Sequence, residues 1–152
     1  MLLISHRGNI DGRIESSEND PVYIDLAISK GYDVEIDVWC KDGILWLGHD
    51  NPDYVIEFGW LVDRKEMLWV HCKNLEAIFF FKENVSEINF FWHQTDDITI
   101  TSKGFLWTYP GKELSVYSIA VMPEIEPFEG LERAYGVCSD FISNFNKKKT
   151  SN

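Results

Sequence analysis

The sequence predicts an α/β fold, a compact (β/α)8 TIM-like barrel with most of its outer helices shortened or missing. Three observations predict it. Eight short strand-like runs recur along the chain, each closed by polar or turn residues. Helical or loop segments alternate with them, the order that builds a parallel sheet. Continuous apolar runs such as Phe105-Leu106-Trp107 suit strands buried on both faces. A barrel of this kind ordinarily takes ~250 residues, and 152 residues shared among eight units leave about 19 for each. Most outer helices must therefore shrink to single turns or vanish, and almost no helical periodicity follows Asn84. Apolar strand faces stripped in this way predict self-association, a homo-oligomer that covers them.

The first strand is read over Leu2–Ser5. Asp20-Pro21 opens a helix and Gly31 closes it, with proline at the first helical position and glycine just past the last. Tyr32–Trp39 is the second strand, and Asp42-Gly43 turns it into a hairpin partner, Ile44–Leu47, that stops at Gly48-His49-Asp50. Met67–His71 is the third, after which Asn74 caps a helix over Leu75–Lys82. Ile88–Trp92, Ile98–Thr101, Phe105–Thr108, Tyr117–Val121 and Tyr135–Cys138 complete the set, with Gly130–Ala134 at most a helical turn. Residues 1–146 read as one domain, and residues 147–152, which include Lys147, Lys148 and Lys149, as a basic solvated tail.

Composition narrows the function. With 45% hydrophobic and 14% aromatic residues the chain can build a packed core. A formal net charge of −11 argues against nucleic acid or an anionic membrane as partner and favours cations. No window approaches the roughly twenty apolar residues of a membrane span, so no stable membrane insertion is expected. Met1–Ser5 reaches His6 and Arg7 without a positive leader segment, and Cys40, Cys72 and Cys138 are odd in number and lack CxxC spacing. A cytoplasmic, reducing location fits these features.

The stretch Asp33–Val38 carries the chemistry. Val34, Ile36 and Val38 share one strand face, so Asp33, Glu35 and Asp37 share the other. If the apolar set meets the outer layer, Glu35 and Asp37 point inward, where two carboxylates cannot both stay charged without compensation. A divalent ion such as Mg²⁺, Ca²⁺ or Mn²⁺ supplies it. Asp33, a residue pair further back, is expected to be structural. His6, His49, His71 and His93 each follow a strand, the end at which a parallel barrel carries its site. Of the four, His93 is read as simply packed.

His6-Arg7-Gly8, Glu18-Asn19, Glu35-x-Asp37 and Gly48-His49-Asp50, in that order, resemble the glycerophosphodiester phosphodiesterases and the wider phosphatidylinositol-phospholipase-C-like superfamily. The resemblance is dense over residues 4–50 and thins to Lys73 and to Gly136–Asp140, which look like the last strand and its terminal acid. It implies a metal-dependent phosphodiesterase acting on a small phosphodiester, with His6 and His49 as catalytic acid and base. It further implies that Arg7 and Lys73 hold phosphate oxygens and that Glu35 and Asp37 bind the metal. The third ligand of the pattern is an acid two places before the lysine, and here His71 stands in that place. Imidazole there, as a ligand, shifts preference from Ca²⁺ towards Mn²⁺ or another transition ion, with Mg²⁺ still open; in the alternative, Glu35 and Asp37 alone hold the ion and water completes its shell.

Glu18 and Asn19 are read evenly as part of that motif or as the approach to a helix cap. Trp107 and Tyr109 are candidates for an aromatic wall, Asp96 and Asp97 for supporting acids and Lys112 for a phosphate contact, while Cys72 reads as a small core residue. Two other readings stand beside the hydrolase: a noncatalytic phosphate- or phosphosugar-binding protein, and a lyase that releases a cyclic phosphate.

Overall fold

A computed structural model describes residues 1–84 and 87–146; the expected tail at 147–152 lies outside the described residues. Ten strands, β1 (Leu2–His6), β2 (Asp33–Lys41), β3 (Ile44–Leu47), β4 (Tyr54–Ile56), β5 (Leu68–Cys72), β6 (Asn89–Phe91), β7 (Ile98–Ile100), β8 (Leu106–Thr108), β9 (Ser118–Val121) and β10 (Gly136–Ser139), join in one sheet. Among the described residues the α-helices are α1 (Pro21–Ser29), α2 (Phe58–Val62), α3 (Leu75–Glu83) and α4 (Ser143–Asn146).

The expected (β/α)8 barrel is not what the chain forms. The sheet is a curled, mixed half-barrel with too few helices to clothe it. β6, β5, β2, β1, β10, β9 and β8 run parallel in that spatial order, but β7 runs antiparallel to β8. The reason is loop length. A parallel crossover needs about a dozen residues or more, and only residues 101–105 separate β7 from β8, so the chain must turn back as a hairpin. Gly104, at φ +87°, sits in that turn. No strand ladder joins β6 to β7 among the described residues. Isolated hydrogen bonds bridge the two ends of the curl without a ladder: the Ser102 backbone N–H donates to the Phe90 carbonyl at 2.7 Å, and the Thr99 hydroxyl donates to the Trp92 carbonyl at 2.9 Å.

The helices that do form have local causes. The Asp20 carboxylate caps α1 by accepting from the Val22 N–H at 2.8 Å, with Pro21 beginning the first turn. Asn74 caps α3 by accepting from the Ala77 N–H at 3.1 Å. Both helices lie against the convex face of β2, where Ile24, Ala27, Ala77 and Phe81 bury Val34, Ile36 and Val38. The concave side holds a second core of Ile4, Trp69, Phe91, Trp107, Ile119, Val121 and Cys138. β2 is therefore apolar outward and acidic inward.

β2 also marks where the sheet forks. Its first half is flanked by β1, which ends opposite Glu35, and its second half by the antiparallel β3 and β4 hairpin. β1 leaves the sheet at His6 and the hairpin returns at Gly48, so both chain segments open beside Glu35 and Asp37. No helix among the described residues is long and apolar enough to cross a membrane.

Candidate active site

The inner face of β2 presents three acids with different surroundings. Asp33, nearest the floor of the curl, accepts from the Trp69 indole N–H at 2.9 Å, the structural role expected of it. Asp37 is fully buried and heavily partnered. The Asn19 side chain brackets it, donating to Oδ2 at 2.9 Å while accepting from the Asp37 backbone N–H at 2.9 Å. Arg7 Nε lies 2.9 Å from Oδ2, and His71 Nδ1 and Lys73 Nζ lie 3.0 and 3.5 Å from Oδ1. Burial alone would raise the Asp37 pKa, but His71, Arg7 and Lys73 outweigh it and hold the carboxyl well below the usual range.

Glu35 is the opposite case. It is 3% exposed and, among the described residues, its Oε2 has no hydrogen-bond partner. The nearest imidazole, His6 Nε2, stands 3.8 Å from that oxygen. Burial first, and the Asp37 charge second, push the Glu35 pKa up against the pull of His6, Arg7 and His71.

Two histidines present the same nitrogen. Asp140 Oδ1 lies 2.7 Å from His6 Nδ1, and Asp50 Oδ1 lies 2.8 Å from His49 Nδ1. A carboxylate accepts, so each Nδ1 carries the proton and each Nε2 is left for other work. Burial would lower the His6 pKa, yet the Asp140 bond and the Glu35 charge raise it above the ordinary value. Burial, with the nearby Arg7 charge, lowers that of His49. His71 is held the other way round. Its Nε2 lies 3.1 Å from the His93 carbonyl oxygen, an atom that can only accept, so Nε2 carries a proton; Nδ1 faces the acids, 3.0 Å from Asp37 and 4.0 Å from Glu35, a contact that calls for a second proton on Nδ1 or a cation between them.

The backbone is bent to achieve this. Arg7 (φ +54°) and Asn19 (φ +62°) both sit in the left-handed region, and the Asn19 N–H donates to the Arg7 carbonyl at 3.1 Å. Two such non-glycine residues bonded together at one site fit the pattern of strain held where function needs it. Gly48, at φ +147°, donates its N–H to the Asp37 carbonyl at 3.1 Å, which fastens the hairpin end bearing His49 to the mouth. A Cβ there would come within 1.9 Å of the Asn51 carbonyl oxygen, so only glycine fits.

A cavity of about 710 Å³ opens over these groups. His6, Arg7, Glu35, His49, His71 and Lys73 line one side and Asp37 lies buried beneath; Trp107, Tyr109, Val121, Met122 and Ile125 line the other. The structure thus brings together the seven residues read as catalytic, phosphate-holding or metal-ligating, whereas Asp96 and Asp97 do not line the cavity. Glu18 and Asn19 serve the site as supports and not merely as a helix approach, for Glu18 accepts from Arg7, Asn9 and Arg13 at 3.2, 2.9 and 3.1 Å. Lys112 pairs with Asp97 at 2.9 Å and does not line the cavity. Cys72 is buried, its thiol pushed up to about 12 by burial, as befits a core residue.

Two groups went unread in the sequence. Asn9 donates to Glu18 and, at 2.8 Å, to Asp140, and its place directly after His6-Arg7-Gly8 was the available signal. The His93 carbonyl is a backbone atom, for which residue type gives no signal. The His93 ring is buried against Tyr109 with centroids 3.7 Å apart, but it also lines the cavity, and neither ring nitrogen has a hydrogen-bond partner among the described residues, so it is more than packing.

Glu35, Asp37 and His71 offer ligand atoms all within 4.8 Å of one another, as do His6, Glu18 and Asp140. Both acids of the second set are engaged, by Asn9, Arg7 and Arg13; in the first set Asp37 is engaged as well, but Glu35 Oε2 has no hydrogen bond among the described residues, so the first set fits a cation better. No protein-family model matches the chain, and neither a curated protein nor a solved structure matches it.

Proposed function

We propose that this protein is a metal-dependent phosphodiesterase acting on a small glycerophosphodiester-like substrate, with His6 and His49 dividing general acid and base duties. The observation that carries the proposal is the convergence at one cavity of two Nε2-presenting histidines, two phosphate-type cations and a buried carboxylate with an orphaned oxygen. Glu35, Asp37 and His71 would hold one divalent ion, whose chemistry is to neutralise charge on the phosphate's non-bridging oxygens. Arg7 brings its planar fork and Lys73 a point charge to the same oxygens, both standing already at the cavity wall. Asp140 and Asp50 fix the tautomers so that His6 and His49 move protons at Nε2, one taking a proton from the attacking hydroxyl and the other giving one to the leaving alcohol. Tyr109 and Trp107 supply the wall against which the alcohol rests. Three unpaired, buried cysteines suit a cytoplasmic setting.

One observation favours a noncatalytic phosphate-binding protein as a second reading. A His71 protonated at both nitrogens would satisfy Asp37 and the His93 carbonyl at once, taking a cation's place. Turnover of glycerophosphodiesters and of bis(p-nitrophenyl) phosphate separates the two. The expected result is hydrolysis abolished by chelation and restored by a divalent ion, with His49→Ala slowing it by about 10²–10⁴ and leaving the melting temperature in place. Activity indifferent to chelation or to His49→Ala overturns the mechanism, and phosphate binding without turnover selects the second reading. Phosphorus NMR of the product separates a hydrolase from a cyclic-phosphate lyase.

A further inference from the structure

The orientation of His71 says more about the ion than the acids do. Carboxylates alone serve Mg²⁺, Ca²⁺ and Mn²⁺ about equally well in kind, whereas an imidazole nitrogen draws the site towards transition ions. His71 counts as a ligand only if a lone pair faces Glu35 and Asp37, and three contacts decide how the ring sits. The His93 carbonyl, 3.1 Å from Nε2, requires the proton there. Phe91 stacks on the ring with an interplanar angle of 2° and centroids 5.2 Å apart, which holds its plane. Nδ1 then faces Asp37 Oδ1 and Glu35 Oε1, where its own proton or a cation must stand between nitrogen and carboxylate, and Glu35 Oε2, without a hydrogen bond among the described residues, adds a donor. A histidine whose outer N–H is fixed by a backbone carbonyl while its inner nitrogen faces two carboxylates is the arrangement of a metal-ligating histidine.

We infer that the Glu35, Asp37 and His71 centre is a transition-metal site, bound through His71 Nδ1 and selective for ions such as Co²⁺ and Zn²⁺ over Mg²⁺ and Ca²⁺. The inference rests on the metal reading of this site and not on the phosphodiesterase reaction. The one nitrogen among oxygens adds to the preference that oxygen ligands already give the later first-row ions. Replacing it by oxygen must therefore weaken selectivity more than it weakens binding.

The test uses the full chain, stripped by chelation and titrated calorimetrically with Mn²⁺, Co²⁺, Zn²⁺, Mg²⁺ and Ca²⁺ in the absence of substrate. The expected affinities rise from Mn²⁺ through Co²⁺ to Zn²⁺, with Zn²⁺ about tenfold or more above Mg²⁺. In His71→Asp binding persists, and that ratio falls by about tenfold or more. Nitrogen-15 NMR of the wild-type histidine rings needs no variant to fold: Zn²⁺ should move the His71 Nδ1 resonance while Nε2 keeps its proton. Mg²⁺ or Ca²⁺ binding as tightly as Zn²⁺, or Zn²⁺ bound with both His71 nitrogens unmoved, overturns the inference. A site that takes no ion at all overturns it together with the metal reading. Tight Zn²⁺ binding through Nδ1 without any phosphodiester turnover supports it and sinks the phosphodiesterase reading alone.

Discussion

The floor and the mouth of β2 carry the same kind of residue and treat it differently. At the floor Asp33 accepts one indole N–H and is otherwise unremarked. At the mouth, Asp37 is bracketed by Asn19, Arg7, His71 and Lys73, while Glu35, two residues away on the same face, is buried with an oxygen that nothing satisfies. A fold optimised only for stability would not distribute its donors this way, since an unpaired buried carboxylate is costly. The difference separates an acid that holds the structure together from one that waits for a ligand.

The sharpest way to break the comparison is to remove the crowded acid. Asp37→Ala strands Arg7 and Lys73 beside the remaining charges, and we expect a loss of roughly 3–5 kcal/mol by urea unfolding. A loss under about 1 kcal/mol would show that those cations relax freely into solvent.

The next effect has the opposite sign. Because Glu35 is raised in the folded state, its charge destabilises the metal-free protein above that raised value, and the cost disappears below its unfolded value of about 4.3. Glu35→Gln should therefore unfold at higher urea than the wild type at pH 7 to 8 without metal, with the gap closing by about pH 4. Saturating Zn²⁺ should reverse the order by stabilising only the wild type. An apo variant less stable at pH 7 would mean that Glu35 has a partner in solution.

Asp37 and Asp140 are depressed and act the other way. Burial opposes both shifts; the His71, Arg7 and Lys73 contacts overcome it at Asp37 and the His6 bond overcomes it at Asp140. Their contribution is complete above the unfolded aspartate value of about 3.9 and is lost as pH falls through their lower folded values. The wild-type urea midpoint should thus fall steeply below about pH 4, and Asp140→Asn should flatten part of that fall. At the floor the smallest effect is expected, about 1 kcal/mol for Asp33→Ala with ion binding unchanged. A change in Zn²⁺ affinity there would erase the distinction between floor and mouth.

Much of this was legible in the residues. Alternation along Asp33–Val38 assigned the acids to one face, Asp20-Pro21 and Asn74 marked the starts of α1 and α3, and Asp42-Gly43 marked the hairpin, because turns, caps and period-two patterns are properties of neighbours in sequence. Nine of the ten strands were legible if the hairpin extension is counted with the eight runs, but β4 and α2 were passed over, since three to five residues carry too little periodicity to read. Strand direction was misread at β7, where the short Ser102-Lys103-Gly104 turn was the signal for a hairpin.

By itself the sequence determined which side chains could do chemistry and on which face of their strands they stand, for those follow from residue type and from alternation. Tertiary structure alone decided that the sheet curls without closing into a ring, that Asp140 reaches His6 across 134 positions and that Glu35 Oε2 is left without a hydrogen bond among the described residues. It also turned His71 Nδ1 inward through a backbone carbonyl. The physical reason is that hydrogen-bond satisfaction in a buried site depends on which groups the chain's long-range path brings within about 3 Å, and no local pattern encodes that path.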